Sequence, residues 1–105
     1  MNPEPGEVWL ADLGLAAKSR PVIVVSRSDS DAPRALSIYV PLTTQNRHSD
    51  YEVALPKLPF LRELSIANVQ GIASIPTVRL ERKLGKVPPL VMDQVRHALR
   101  FALDL

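Results

Sequence analysis

The chain has 105 residues, 46% of them hydrophobic and 23% charged, with ten prolines and no cysteine. That length suits a single domain over residues 1–105 with one modest core, and the lack of thiols excludes disulfides and thiolate metal centres. Thirteen Lys and Arg against eleven Asp and Glu leave a net charge of +2, which is compatible with a nucleic-acid partner without requiring one.

His48 and His97 are the only histidines, so no histidine-rich metal site is expected, and no cofactor motif is present. The opening Met1-Asn2-Pro3-Glu4-Pro5-Gly6 carries neither a basic nor an apolar signal segment. The longest strongly apolar run, residues 22–25, is far too short to span a bilayer. A cytoplasmic protein with no membrane partner is therefore expected.

Glu7-Val8-Trp9-Leu10-Ala11 reads as the first strand, with Val8 and Leu10 on one face. A loop at 12–19, containing Gly14 and Lys18, leads to Arg20 and Pro21. Val22-Val25 then follows as Val22-Ile23-Val24-Val25, a β-branched run whose lack of polar alternation predicts burial on both faces. After a Ser- and Asp-rich loop, a third strand runs from Arg34 to Leu42. Leu36, Ile38, Val40 and Leu42 share one of its faces, and Ser37, Tyr39, Pro41 and Thr43 the other. Pro41 lacks an N–H, so this strand is expected to end at an edge or bulge.

Tyr51-Glu52-Val53-Ala54-Leu55 predicts a short fourth strand after a polar turn. Leu58, Phe60, Leu61 and Leu64 make the following loop too apolar to be wholly solvated. Residues 65–70 and 71–75 read as further short strands, with Gly71 at a bend. Residues 77–84 are basic and broken up. From Pro89 to Leu103 the period changes, as Val91, Val95, Leu99 and Ala102 recur at helical spacing. The helix lacks a Ser, Thr or Asp N-cap but has prolines suited to its first turn. Many short strands followed by one amphipathic helix predict a mainly β fold, a compact antiparallel sheet or small barrel with the helix over its open side.

The chemistry is concentrated at Val40-Pro41-Leu42-Thr43-Thr44-Gln45, a strand that ends in two hydroxyls and an amide. Arg20 starts one apolar strand and Thr43 ends another. If those strands are antiparallel neighbours, the two side chains meet at one rim of the sheet. A guanidinium beside a hydroxyl is a receptor for a phosphodiester: forked donors for the non-bridging oxygens, with the O–H as a further donor. The alternative is an edge-strand charge and an ordinary strand threonine. His48-Ser49-Asp50 does not make a catalytic triad, because neighbours on one turn cannot form the relay.

Gly6-Glu7-Val8-Trp9, Arg20-Pro21-Val22-Ile23-Val24-Val25-Ser26 and Val40-Pro41-Leu42-Thr43-Thr44-Gln45 resemble, in order and spacing, the MazF/PemK toxins of type II toxin–antitoxin modules. Ser65-Ile66-Ala67-Asn68-Val69-Gln70, Ile72, Ser74-Ile75, Arg79-Leu80, Leu84-Gly85 and the terminal helix extend the resemblance over nearly the whole chain. It implies an SH3-like antiparallel barrel of the CcdB/Kid/MazF type with a C-terminal α-helix. It also implies a homodimer that acts as a sequence-specific, metal-independent endoribonuclease on single-stranded RNA (mRNA) and is neutralised by a cognate antitoxin protein. The catalytic residues implied are Arg20 and Thr43, with 2′-OH attack giving 2′,3′-cyclic phosphate and 5′-OH ends.

Lys18, Thr44, Gln45 and Arg47 lie near that pair in sequence and are candidates for RNA binding; Trp9 and Tyr39 are the candidate stacking platforms. Two departures from the resemblance stand out. The loop at 13–19 lacks the relatives' Gly-Ser-Glu element, and Asn68 and Gln70 occupy the stretch where some relatives carry an acid. The same fold without catalysis, a CcdB-like toxin binding a protein such as DNA gyrase, is the alternative function.

Overall fold

The β-branched run after Arg20 is the middle of the molecule. In the computed structural model, which describes residues 1–14 and 19–105, it is strand β2, Arg20–Val24, with neighbours on both sides. The remaining strands are β1 (Glu7–Ala11), β3 (Leu36–Thr43), β4 (Glu52–Ala54), β5 (Ile66–Asn68), β6 (Ala73–Pro76) and β7 (Leu80–Lys86), and helix α1 covers Pro89–Leu103. Short 3-10 turns at Val69–Gly71 and Thr77–Arg79 join β5 to β6 and β6 to β7. Every pairing is antiparallel; the order is β4-β5-β3-β2-β1-β7, with β6 on the first half of β3. The mainly β antiparallel fold with a terminal helix is the expected one, although among the described residues no ladder joins β4 to β7 to close a barrel.

Burial on both faces of β2 arises because the bent sheet has a core on each side. Ile23 joins Val8, Val40 and Leu42 under α1, whose Val91, Met92, Val95 and Ala98 face them. Val22 and Val24 join Ala11, Tyr39, Ile75 and Leu80 in a second cluster. Burial of the apolar stripe, rather than capping, holds α1: Pro88 makes no side-chain cap, and the helix ends at Asp104 in the left-handed region. The loop after β4 packs as its composition demanded, with Leu58 buried and Phe60 and Leu61 against the main core, while Leu64 stays exposed. Phe60 packs on Gly85, where a Cβ would stand 2.4 Å from its ring, so this site accepts only glycine without a shift.

Three features go beyond the sequence reading. Leu36 and Ile38, on the same face as buried Val40 and Leu42, are 45% and 42% exposed. β3 runs to Thr43, and its end does not lie at an edge, because Leu42 and Thr43 pair with β5; Pro41 lies inside the strand. It falls in the gap between the β6 ladder, which stops at Tyr39, and the β5 ladder, which starts at Leu42, where a missing N–H costs least. The basic stretch after residue 77 contains strand β7, which the pattern did not reveal. Among the described residues it pairs only with β1, through two register shifts, and its exposed Glu81, Arg82 and Lys83 are typical of a protected edge.

Glu7 is the one acid in the described residues that is buried, and it ties β1 to β7. Its carboxylate accepts the Glu4 N–H at 3.0 Å and the Trp9 Nε1–H at 3.1 Å, and lies 3.0 Å from Lys83 Nζ. Burial alone would raise its pKa, but the Glu4 N–H, Lys83 and Trp9 together outweigh that and hold it below its ordinary 4.5. A carboxyl depressed by folding contributes stability that is complete above the unfolded-state pKa and is lost as pH falls through the folded one. Glu7→Gln should therefore lower stability at pH 7 by about 1–3 kcal/mol, by loss of the charge-assisted bonds. It should also flatten the fall in melting temperature below about pH 4.5, as thermal melts across pH 3–7 would show.

Candidate active site

Two strand ends meet at one rim of this sheet. The β2–β3 register pairs Val24 with Tyr39, Ile23 with Val40 and Val22 with Pro41. Carried two residues further, it sets Arg20 opposite Thr43, and alternation puts both on the face that carries Val22 and Pro41. Arg20 is exposed, and among the described residues no ion pair engages its guanidinium. Thr43 is half-buried, and its Oγ1 accepts the Gln45 N–H at 3.2 Å. With that bond in place on the oxygen, the hydroxyl proton is free to donate outward. A free cation and an oriented O–H donor on one row form a receptor for an anionic oxygen.

Gln45 and Arg47 share with Thr43 an open cleft of about 510 Å³, completed by Glu52, Asn68 and Gln70. Thr44 does not share it. Its side chain leaves the opposite face and lines a second cleft with Leu10, Pro21, Phe60 and Arg82. Lys18 lies outside the described residues. Neither proposed stacking platform stands free: Tyr39 is buried in the second cluster, and half-buried Trp9 spends its N–H on Glu7. His48 sits in the polar turn at φ 56°, its backbone N–H bound to Asn46 Oδ1, and His97 is exposed on α1. Among the described residues no three His, Cys, Asp or Glu side chains cluster as metal ligands would.

The residue that sequence reasoning missed is Glu52. The β4–β5 register places it opposite Asn68, and the β3–β5 register pairs Thr43 with Ile66 two residues away on the same face. A carboxylate absent from positions 68 and 70 thus reaches the cleft from the neighbouring strand. Only strand pairing reveals this, since Glu52 on its own is an unremarkable polar residue of a three-residue strand.

Its two oxygens hold the turn closed: Oε2 accepts the Arg47 N–H at 2.9 Å, and Oε1 accepts the Ser49 N–H at 3.0 Å and the Ser49 hydroxyl at 2.7 Å. The Arg47 N–H, then the Ser49 hydroxyl, hold this carboxyl below the usual range, against a smaller opposing effect of burial. Glu52 is accordingly ionised near neutral pH and a weak proton acceptor, suited to bracing the turn rather than to serving as a base.

The fold is thus a small antiparallel β sheet with a terminal helix that carries Arg20 and Thr43 on one row at its rim. A family profile for the PemK-like, MazF-like toxins of type II toxin–antitoxin systems matches residues 4–103. The chain belongs to that family. It is 32% identical to the probable endoribonuclease MazF5 of Mycobacterium tuberculosis, over 97% of this chain and 94% of that protein. To the endoribonuclease MazF2 of Mycobacterium bovis it is 31% identical, over 94% of this chain and 95% of that one. A mycobacterial endoribonuclease solved in complex with its cognate antitoxin superposes with a TM-score of 0.85 at 30% identity, covering 98% of this chain and 96% of that chain.

If Glu52 braces the turn, Glu52→Gln weakens the Arg47 and Ser49 N–H bonds. Amide hydrogen exchange at those two residues should quicken several-fold, with exchange in β2 unchanged. In the wild-type protein the same loosening should appear on acidification, because a depressed carboxyl loses its hold as pH falls through its folded pKa. Equal protection of Arg47 and Ser49 in mutant and wild type would remove the brace.

Proposed function

We propose that this protein is a sequence-specific endoribonuclease toxin of the cytoplasm that cuts single-stranded mRNA without a metal and is neutralised by a cognate antitoxin. The observation that carries the reading is the row formed by Arg20 and Thr43. It is supported by relatives named as endoribonucleases and by a structural neighbour solved with its antitoxin.

In the reaction, the ribose 2′-oxygen attacks the adjacent phosphorus, the bond from phosphorus to the 5′-oxygen breaks, and one proton passes in net from the 2′-oxygen to the departing 5′-oxygen. The products are a 2′,3′-cyclic phosphate and a 5′-OH. Thr43 donates its free hydroxyl proton to a non-bridging oxygen. Arg20 neutralises the charge that grows on the pentavalent phosphorane, and a guanidinium, which stays protonated, is suited to that electrostatic role rather than to proton abstraction. Because the nucleophile belongs to the substrate, the protein need not generate one. Gln45 and Arg47 share the cleft with Thr43 and are the candidates to contact the neighbouring nucleotides.

Removing one donor to a developing oxyanion costs about 10²–10³ in rate. Arg20→Ala and Thr43→Ala should each lose that much cleavage of total RNA in EDTA, with unchanged melting temperature and circular dichroism. The wild-type fragments should end in cyclic phosphate. Wild-type rates in either folded mutant would remove the assignment, and gyrase-dependent DNA damage with intact RNA would replace it by the CcdB-like alternative.

A homodimer completes the proposal. Ile38 at 42% and Leu103 at 49% exposure adjoin Val25, Ile72 and Leu99 in a largely apolar furrow between β3 and the end of α1, which Arg96 and Arg100 also line. A second copy would cover it, since an exposed apolar patch of this kind marks an interface. Ile38→Asp should shift the wild-type dimer to monomer in sedimentation velocity; a wild-type monomer would refute it.

A further inference from the structure

The cleft beside Thr43 contains a charge that phosphate would avoid. Glu52 lines the cleft with Asn68, and although Arg47 lies on the same wall, an RNA phosphate is better placed at the Arg20–Thr43 row than against the Glu52 carboxylate itself. A neutral, hydrogen-bonding group suits that place better. The geometry points to a nucleobase: we propose that Glu52 and Asn68 form a subsite that reads the Watson–Crick edge of the unpaired nucleotide next to the scissile phosphate. The inference rests on the nuclease reading above and adds to it a residue pair for specificity.

Glu52 and Asn68 are Cα partners across β4 and β5, so their side chains rise from the same face at adjacent positions. Asn68 Oδ1 accepts the Gln70 N–H at 3.2 Å, and since that N–H can only donate, the accepting atom must be the oxygen. The amide nitrogen is therefore the group left to the cleft, with two donors. On Glu52, Oε1 already accepts two hydrogen bonds and Oε2 one, leaving a lone pair on Oε2.

The pair thus presents a donor beside an acceptor. That is the complement of a Watson–Crick edge, which sets a ring or exocyclic N–H beside a ring nitrogen or carbonyl oxygen. Such an edge is available only when the base is unpaired, which ties the subsite to single-stranded substrate. The ring of Tyr51, on the cleft wall, packs edge-on against Phe101 at 5.2 Å. Stacking on an aromatic ring tells bases apart poorly, so selection falls to the hydrogen bonds of Glu52 and Asn68.

Asn68→Asp tests the subsite without removing the turn. The carboxylate can still accept the Gln70 N–H, but both amide donors are lost. Cleavage of a panel of single-stranded oligoribonucleotides, each varied at one position on either side of the cut, would give kcat/KM for all four bases in wild type and mutant. The wild type should prefer one base at a flanking position. The mutant should lose about tenfold of that discrimination, or switch base, at that position alone, the scale of one lost base contact. Thermal melts would check folding, and Glu52→Gln should shift preference at the same position.

A uniform loss across all bases would overturn the subsite and leave Asn68 as a turn cap, with the nuclease reading intact. Unchanged base preference together with weakened inhibition by the cognate antitoxin would also overturn it and give the cleft to the protein partner. A wild type that leaves every RNA whole would overturn the nuclease reading and the subsite with it.

Discussion

The antiparallel register of β2 against β3 is the constraint on which the rest of the site depends. Val22 opposite Pro41 fixes Arg20 opposite Thr43. A slip of one residue would send the arginine to the other face of the sheet and separate the cation from the hydroxyl. Packing holds that register from both sides: Ile23 and Val40 are locked under α1, and Val22 and Val24 are locked in the second cluster. The proposed pairing of two side chains at a strand rim would tolerate little play, and a doubly buried strand provides the rigidity.

Pro41 links the register to the cleft. At this residue β3 exchanges one neighbour for another, and the last two positions of the strand, Leu42 and Thr43, pair with β5 instead of β6. Gly71 makes the exchange possible, because a Cβ there would stand 2.8 Å from Pro41 Cγ. The change of partner brings β5, and β4 beyond it, alongside Thr43. Glu52 and Asn68 arrive by that route. The Glu52 carboxylate then holds the turn carrying Arg47 and Ser49, so the polar residues around Thr43 are fixed by hydrogen bonds rather than left as a loose loop.

Much of this was legible in the amino-acid sequence, and for physical reasons. The helix was readable because a period of 3.6 over fifteen residues leaves few alternatives, and its bounds were the observed ones. Residues 22–24 announced double burial through their unbroken β-branched character. Arg20 and Thr43 were visible as two strand ends of complementary chemistry.

What stayed hidden required knowledge of pairing. β7 is an edge strand with bulges, so its sequence is charged where alternation would have been diagnostic. Tyr39 looked available for stacking until the second core enclosed it. Glu52 acquires its place only from the β4–β5 ladder, sixteen residues from its partner Asn68, a separation that no local pattern spans.

The most direct measurement is a structure of the protein with an oligoribonucleotide made uncleavable by a single 2′-deoxy substitution at the cut. The scissile phosphate should lie with one non-bridging oxygen within hydrogen-bond distance of Thr43 Oγ1 and another facing the Arg20 guanidinium, while Gln45 N–H still binds Thr43. A phosphate seated away from that row, with Arg20 and Thr43 both in solvent, would contradict the account.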